Sequence, residues 1–329
     1  MASLKSMDNI ILSAADLSKH FVGRQSLMGK IRGKEPFSVP AVDGISIEMP
    51  AGSTIGLVGE SGCGKSTLGR TLVGLYPATS GSLTIFNREI GAERTLEERR
   101  AVQMIFQDPF ASLNPRMRIG EMLKEILLFH KLVSKEKVEA RCIELMELVG
   151  LPVAALQAYP RQFSGGQRQR IGIARALALE PKILIADEAV SALDVSVQAS
   201  IVNLLMDLKR DLGLTMLFIS HNIAIVRQVS DRIAVMYLGR IVEEGSTSDV
   251  FDNPQHPYTK LLLGSVPKMT PGSKLGDAPE GELPTLQARY EGCRFQSRCS
   301  LATAACATTD PTLIHIGSKD HKAACINLK

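Results

Sequence analysis

Apolar positions along this chain fall into two periods. From Val42 to Met49 (VDGISIEM) apolar and polar residues alternate, the pattern of a strand with one buried face. Pro50-Ala51-Gly52 then turns the chain, and Thr54 to Val58 (TIGLV) is a continuous apolar run, the pattern of a strand covered on both faces. Similar runs recur at Ala101 to Phe106 (AVQMIF), Lys182 to Ala186 (KILIA), Thr215 to Ile219 (TMLFI) and Arg232 to Tyr237 (RIAVMY). Between them the spacing becomes helical. A helix is predicted from about Lys65 to Leu75, and helical spacing runs from about Ile119 to Gly150. There Leu123, Ile126 and Leu127 share one face and Ile143, Met146 and Val149 another. Further helices are expected from about Gly165 to Leu179, with Pro181 ending the turn after it, and from Val195 to Leu212. Strand–loop–helix alternation with a helical insert predicts an α/β domain around a central sheet. Gln25 to Glu35 reads as an inserted loop. After about Ser265 the composition shifts to Pro, Gly, Thr and Cys, which predicts a small appended module.

Composition narrows the class. The 329 residues suit one large domain with an appendage, and 45% apolar with 22% charged residues is ordinary for a globular protein. A net charge of +4 is too small to argue for a nucleic-acid partner. No apolar run approaches the ~18–20 residues that span a bilayer, and Met1 to Asn9 lacks the apolar core of a signal peptide. The expectation is a soluble, cytoplasmic chain that reaches a membrane only by docking on other subunits. Of six cysteines, Cys63 and Cys142 stand alone, while Cys293, Cys299, Cys306 and Cys325 crowd the last stretch. In a reducing compartment such a cluster reads as metal-binding rather than disulfide-forming. Its spacing is neither the short zinc pattern nor a ferredoxin run, so zinc, a four-iron cluster and free thiols all stay open.

Gly59, Glu60, Ser61, Gly62, Cys63, Gly64, Lys65, Ser66 and Thr67 (GESGCGKST) match G-x-x-x-x-G-K-[ST] between a predicted strand and a predicted helix. Glycines let successive backbone N–H groups face inward, and together with the helix N-terminus they bind phosphate oxygens. Lys65 is placed to reach the β and γ phosphates and Ser66 to hold Mg²⁺. The run KILIADE ends in two acids. Asp187 is the expected Mg²⁺ partner, and Glu188 is the candidate base for an attacking water.

Phe163 to Gln167 (FSGGQ), followed by RQRIGIARAL, together with the phosphate loop resembles the ATP-binding cassette (ABC) family. Phe163 replaces the usual leucine. Ser164, Gly165, Gly166 and Gln167 open a helix and offer a second anion site. The resemblance implies that this second site covers the γ-phosphate held by a partner cassette, so that two cassettes clamp two ATP molecules. It implies further that Gln107, in FQDP, senses Mg²⁺ and couples to membrane subunits. Asp194, in SALD, signals across the dimer, His221 contacts the γ-phosphate, and Phe21, in LSKHF, stacks on adenine. Catalysis would then rest on Glu188, His221, Lys65 and Gln107, with Ser66, Gln107 and Asp187 around Mg²⁺. Two residues depart from the family pattern: Ala189 stands for proline after the acid pair, and Asn222 for aspartate after the histidine. Neither removes a group assigned to the chemistry.

Asp108 to Gly120 (DPFASLNPRMRIG) and Asn253 to Leu263 (NPQHPYTKLLL) resemble the ATPase subunits of bacterial importers for dipeptides, oligopeptides, nickel and glutathione. The four C-terminal cysteines fit the same group, where the resemblance implies a [4Fe-4S] cluster. The expected architecture is therefore a P-loop NTPase cassette over residues 1–265. It has a mixed central sheet and a helical subdomain at about 110–163, followed by a four-cysteine module over 266–329. The expected activity is ATP hydrolysis driving peptide uptake, with nickel or glutathione as alternative cargo. Expected partners are two permease subunits, a second cassette (sister or identical) and, indirectly, an extracytoplasmic binding protein, all organised at the inner face of the membrane. A soluble cassette ATPase working on ribosomes or DNA is the rival reading, but such chains carry two cassettes or a long coiled-coil insert. Exporter motors are commonly fused to membrane helices. A cassette that binds ATP without turning it over would be expected to lack catalytic residues that this chain has.

Overall fold

The computed structural model describes residues 9–23, 38–91, 93–108, 113–264, 290–317 and 320–328. Its centre is a run of parallel strands: β3 (Thr54–Val58), β6 (Val102–Ile105), β7 (Ile183–Asp187), β8 (Thr215–Ile219) and β9 (Arg232–Tyr237), in the spatial order β9-β3-β8-β7-β6. Every residue of β3, β7 and β8 is buried, as expected where both faces are covered. The two-residue strand period sorts their side chains between two cores. Leu184, Ala186, Met216, Phe218 and Val235 face one, and Ile183, Ile185, Leu217, Ile219 and Ala234 face the other.

The second core is closed by a four-stranded antiparallel sheet, β2-β1-β4-β5, formed by β1 (Ile10–Val22), β2 (Ser38–Pro50), β4 (Ser80–Ile85) and β5 (Arg88–Glu89). The alternation at Val42 to Met49 belongs to β2, which buries Val42, Ile45, Ile47 and Met49 beside Leu12 and Leu17 of β1. Helix α1 (Lys65–Leu72) lies between the two sheets and buries Leu68 and Leu72. It stops short of the expected Leu75 because Gly74 takes a left-handed φ of 87°.

The first core is closed by helices. α2 (Leu96–Ala101) starts at a capping box between Thr95 and Glu98, runs straight into β6 and buries Ala101 in the second core. The insert holds α3 (Ile119–Phe129) and α4 (Val138–Leu148). In α3, Leu123 and Leu127 are buried as their spacing requires. In α4 the buried face is Cys142, Leu145 and Met146, continuing to Val149, so Ile143 lies at its edge. α5 (Gly165–Leu177), α6 (Val195–Leu212) and α7 (Ile223–Val229) complete the layer. Asn222 caps α7, its Oδ1 accepting the Ile225 N–H at 3.3 Å. Asparagine thus does there what the family's aspartate would do for the helix. Among the described residues no helix is long and apolar enough to cross a membrane.

The inserted loop expected at Gln25 to Glu35 and the expected boundary near residue 265 lie outside the described residues, as does part of the stretch before α3. The C-terminal residues do more than append to the core. β10 (Arg240–Ser246) pairs antiparallel with β9. The two-residue strand β12 (Lys322–Ala323) then pairs with β10, and β11 (Ile314–His315) with β12, which extends the central sheet to eight strands. After β10 come α8 (Thr247–Asp252) and α9 (Pro257–Gly264). The turn between them is fixed by Glu243, whose fully buried carboxylate accepts the N–H groups of Gln255 and His256, both at 2.8 Å. The same carboxylate lies 2.7 Å from His321 Nε2.

His256 is buried beside this junction. Its Nδ1 accepts the Tyr258 N–H at 3.1 Å and its ring hydrogen-bonds the Ala324 backbone, while burial holds its pKa down at about 4. In the unfolded chain the imidazole titrates near 6.5. Between these values the unfolded state binds a proton that the native state refuses. Stability is therefore full above about pH 6.5 and is lost as pH falls toward 4, by ~3 kcal/mol from this group. The thermal midpoint is expected to drop across that window, and His256→Asn to flatten the slope. An unchanged slope in the variant would assign the pH dependence elsewhere.

Candidate active site

All the parallel strands deliver their C-terminal ends to one edge of the sheet, where ligands bind in open α/β folds. β3 runs directly into the loop Gly59–Gly64, and α1 begins at Lys65. Gly64 has φ 110°, and a Cβ there would lie 2.0 Å from the Ala41 carbonyl oxygen, so only glycine closes this loop. Lys65 is buried, and its Nζ donates to the Gly59 and Glu60 carbonyls at 2.8 Å each. The ammonium is thereby held inside the loop that it serves. Cys63 is also buried, and burial pushes its thiol above the ordinary range, which leaves it a protonated, weakly reactive spectator.

Ser66 Oγ donates to Asp187 Oδ1 at 2.8 Å, joining the start of α1 to the end of β7. Burial pushes the Asp187 carboxyl up, and the neighbouring Glu188 adds to this. The Ser66 hydrogen bond and the charges of Arg70 and Lys65 pull the other way. A buried carboxylate beside a hydroxyl is an oxygen donor set suited to a hard cation such as Mg²⁺.

Glu188 follows at once, with its backbone at a left-handed φ of 46° and its N–H bonded to the Ile219 carbonyl at 2.9 Å. A non-glycine residue in this region costs roughly 1–3 kcal/mol and is over-represented at functional sites. The turn aims the side chain at residues from the two flanking strands. Gln107, just beyond β6, donates from Nε2 to Glu188 Oε2 at 2.9 Å. His221, just beyond β8, brings Nδ1 to 3.6 Å from Glu188 Oε1. Ala189 is buried behind the acid pair, and Ser191 returns its N–H and hydroxyl to the Glu188 carbonyl at 3.1 and 3.0 Å. The SALD loop is thus tied to Glu188 before Asp194 opens α6.

The structure therefore gathers Lys65, Ser66, Gln107, Asp187, Glu188 and His221 at one edge. Ser164, Gly165, Gly166 and Gln167 form the start of a different helix. Ser164 Oγ accepts the Gln167 N–H at 3.3 Å, and Gln167 Oε1 accepts the Ser164 N–H at 3.0 Å. A Cβ on Gly166 would lie 2.5 Å from Val197 Cγ1, so this glycine lets α5 lie close to α6. Farther along α5, buried Gln169 donates to the Phe106 carbonyl at 3.4 Å, linking this helix to the segment that carries Gln107. Asp194 is exposed at the start of α6. Phe21 stands at the end of β1, edge-to-face with Tyr76 at 5.3 Å, with Lys19 Nζ 5.2 Å from its ring. These contacts place it beside Tyr76, in the segment after α1.

The four C-terminal cysteines line one small cavity with His256, Phe295 and Asn327. None is in a disulfide. Cys306 Sγ receives contacts from the Thr303 N–H, the Thr303 hydroxyl and Asn327 Nδ2, each at 3.5 Å, which hold its pKa below the usual thiol value. Burial pushes Cys293 up, and Cys306, Cys299 and Cys325 add to the shift. Among the described residues no three side chains converge as a formed metal site. The donor set itself, four thiols around one cavity, suits a soft metal or an iron–sulfur cluster.

The "ABC transporter" family model matches residues 42–191, and the "oligopeptide/dipeptide transporter, C-terminal region" model matches 242–306. The oligopeptide transport ATP-binding protein OppF of Salmonella typhimurium is 46% identical, over 97% of this chain and 96% of that one. The chain belongs to the ABC-transporter ATP-binding subunits of the OppF/DppF type. The Pseudomonas aeruginosa di/tripeptide transport ATP-binding protein DppF is likewise 46% identical, over 92% of this cassette chain and 94% of its own length. Among solved structures, the ATP-binding cassette MJ0796, in a dimeric post-hydrolysis state bound to ADP and Pi, matches with a TM-score of 0.62 at 26% identity. The match covers 72% of this chain and 98% of that one. CbiO1 from Clostridium perfringens, part of the transporter complex CbiONQ, matches with a TM-score of 0.62 at 25% identity, over 75% and 92%. The ABC-type ATPase fold of this cassette is thus shared across wide sequence divergence.

Two residues that the sequence does not mark also reach the loop 59–64: Tyr258, in NPQHPY, and Arg298, beside Cys299. Nothing local marks partners that lie 198 and 238 residues away.

Asp187→Asn keeps the shape of the Ser66 contact and removes the buried charge. The metal-free variant is expected to unfold at the same temperature as the parent or higher, and to lose the extra stabilisation that Mg²⁺ with ATP gives the parent. Thermal melts with and without Mg-ATP check both. Undiminished Mg²⁺-dependent stabilisation would remove Asp187 from the metal site.

Proposed function

We propose that this cassette hydrolyses Mg-ATP to drive uptake of peptides through a membrane permease, docked at the cytoplasmic face. The observation that carries the chemistry is the carboxylate of Glu188 held between Gln107 and His221, one residue after the Ser66–Asp187 pair. Loop N–H groups, the α1 N-terminus and Lys65 hold the phosphates. Mg²⁺, when bound with ATP, neutralises phosphate charge, and Ser66, Asp187 and Gln107 are the residues that would hold it. Glu188 orients a water and takes its proton as the water oxygen bonds to the γ-phosphorus. The bond from that phosphorus to the β–γ bridging oxygen breaks, and ADP and phosphate leave. His221 contacts the γ-phosphate, and catalysis is chiefly positioning and electrostatics.

Two cassettes are needed in this reading. The Ser164–Gln167 start of α5 is exposed and closed on itself, which supports its use on the nucleotide of a second cassette, sister or identical. Asp194 would signal across that interface, and Phe21 would stack on adenine. A groove lined by Leu75, Tyr76, Arg94, Phe106, Ile126 and Arg175 runs between the core and the helical insert, and it supports docking of cytoplasmic loops from two permease subunits. An extracytoplasmic binding protein would deliver cargo to them. Peptide is the cargo named for the relatives, and nickel or glutathione are the alternatives. The boundary between cassette and module is placed at residues 265/266. Cys293, Cys299, Cys306 and Cys325 are proposed to hold a [4Fe-4S] cluster, with zinc as the alternative. Such a group would crosslink the module, and no step of hydrolysis is routed through it.

Glu188→Gln is expected to slow ATP turnover by on the order of 10²–10⁴, the usual worth of a general base, with nucleotide binding kept. Near-normal turnover would assign the base elsewhere. Lys65→Ala is expected to weaken binding as well as turnover, read by titration with a fluorescent ATP analogue; equal affinity would contradict the loop's role. Labelled dipeptide and tripeptide uptake in cells lacking this subunit should fall, with nickel and glutathione uptake kept; the reverse pattern would reassign the cargo. Anaerobic purification should give brown protein with about four iron and four sulfide per chain. About one zinc would make the module a structural clip, and neither metal would leave the thiols unligated.

A further inference from the structure

Two segments beyond the catalytic strands converge on one residue of the phosphate loop. The Glu60 carboxylate accepts both arms of the Arg298 guanidinium, Nη1 and Nη2, at 2.9 Å each. Arg298 lies between Cys293 and Cys299 in the cysteine module, and its side chain is only 2% exposed, against 22% for that of Glu60. The Glu60 backbone N–H donates to Tyr258 Oη at 2.9 Å. Tyr258 belongs to the NPQHPY turn that Glu243 fixes, and it is fully buried. Its ring packs at 4.5 Å from that of Tyr237 and 5.5 Å from that of Phe295. Arg298 also lies over the Phe295 ring at 5.9 Å. Glu60 is thus held at its side chain and at its backbone by residues that the chemistry does not otherwise use.

A carboxylate in a polyphosphate-binding loop is a liability, because it repels the ligand that the loop attracts. A buried, forked arginine neutralises it and fixes its position. We propose that Arg298 and Tyr258 are positioning residues that set nucleotide affinity by neutralising and anchoring Glu60, so that the C-terminal module, through Arg298, and the NPQHPY turn, through Tyr258, together brace the phosphate loop. This rests on reading Gly59–Thr67 as the nucleotide loop. The brace acts on ground state and transition state alike, so its loss should raise KM and Kd together and leave kcat nearly unchanged.

The test uses the full chain, a fluorescent ATP analogue for Kd and Mg-ATP turnover for KM and kcat, with thermal melts to confirm folding. Arg298→Met, which keeps the contact with Phe295, is expected to raise Kd and KM at least tenfold, with kcat within about threefold of the parent. Adding Glu60→Gln should lower Kd again by at least about threefold from the single variant, because no unpaired carboxylate remains. A purely structural role for Arg298 would not give that rescue. Tyr258→Phe deletes only the hydroxyl that anchors the Glu60 N–H and should raise Kd severalfold. Parent-like Kd in Arg298→Met, or a double variant as weak as the single one, would overturn the proposal. If Arg298→Met fails to fold, the double variant and Tyr258→Phe decide it, since a folded double variant with weak binding also overturns it. If the parent itself binds no nucleotide, the nucleotide reading of the loop fails and the brace falls with it, an outcome distinct from unchanged variants of a binding parent.

Discussion

Parallel pairing of β7, β8 and β3 fixes the positions of nearly every group in the site. Asp187 pairs with Ile219 across β7 and β8, and Ile219 with Leu57 across β8 and β3. The ends of the three strands are therefore level. The loop after β3, the acid pair after β7 and His221 after β8 all emerge at one height, and Gln107 arrives from β6 on the flank. The pairing survives because both faces of these strands are buried, and a slip of one residue would send each side chain into the wrong core. Hydrophobic register thus sets catalytic register.

Within that frame the site carries concentrated local cost. Asp187 is buried with an acidic neighbour, and Glu188 sits in a left-handed conformation. Each cost is held in place by the surroundings: the Ser66 hydrogen bond, the Glu188 N–H bond to β8, and the Ser191 contacts with the Glu188 carbonyl. Preorganised charge of this kind is awkward in the resting protein and is met when a ligand of opposite charge binds. The departures at Ala189 and Asn222 fit this frame. The first is buried and non-polar, and the second keeps the helix cap.

The C-terminal half is tied to the core at several points. β12 extends the main sheet, Glu243 ties β10 to both the NPQHPY turn and His321, and Arg298 and Tyr258 meet at Glu60. Arg294, next to Cys293, contacts Asp43 and the Leu238 carbonyl, and Arg240 joins the same Asp43 carboxylate at 3.2 Å. Glu243 and Arg298 are buried, and buried charges must be paired, which favours a single docking register. What lies around the cysteines is thereby connected to the loop 59–64 through Arg298 and Glu60.

Much of this was legible in the residues. The strands Thr54–Val58, Thr215–Ile219 and Arg232–Tyr237 and the helix Val195–Leu212 follow directly from apolar spacing, because burial on one face or two leaves a periodic trace in the sequence. The phosphate loop, the acid pair and the helix start at Ser164 are legible because their chemistry is local: backbone N–H groups, a metal-binding hydroxyl and a cap all act within a few residues. β1 and β4 leave weaker traces, since these half-exposed strands mix polar and apolar positions. What only the tertiary structure decided are the partnerships across distance: Gln107 and His221 on opposite oxygens of Glu188, Phe21 against Tyr76, four thiols around one cavity, and Arg298 on Glu60. Sequence specifies local conformation through short-range sterics and burial period, whereas these pairs depend on where the sheet brings strand ends and where its last strands dock, and the chain is determined there only as a folded whole.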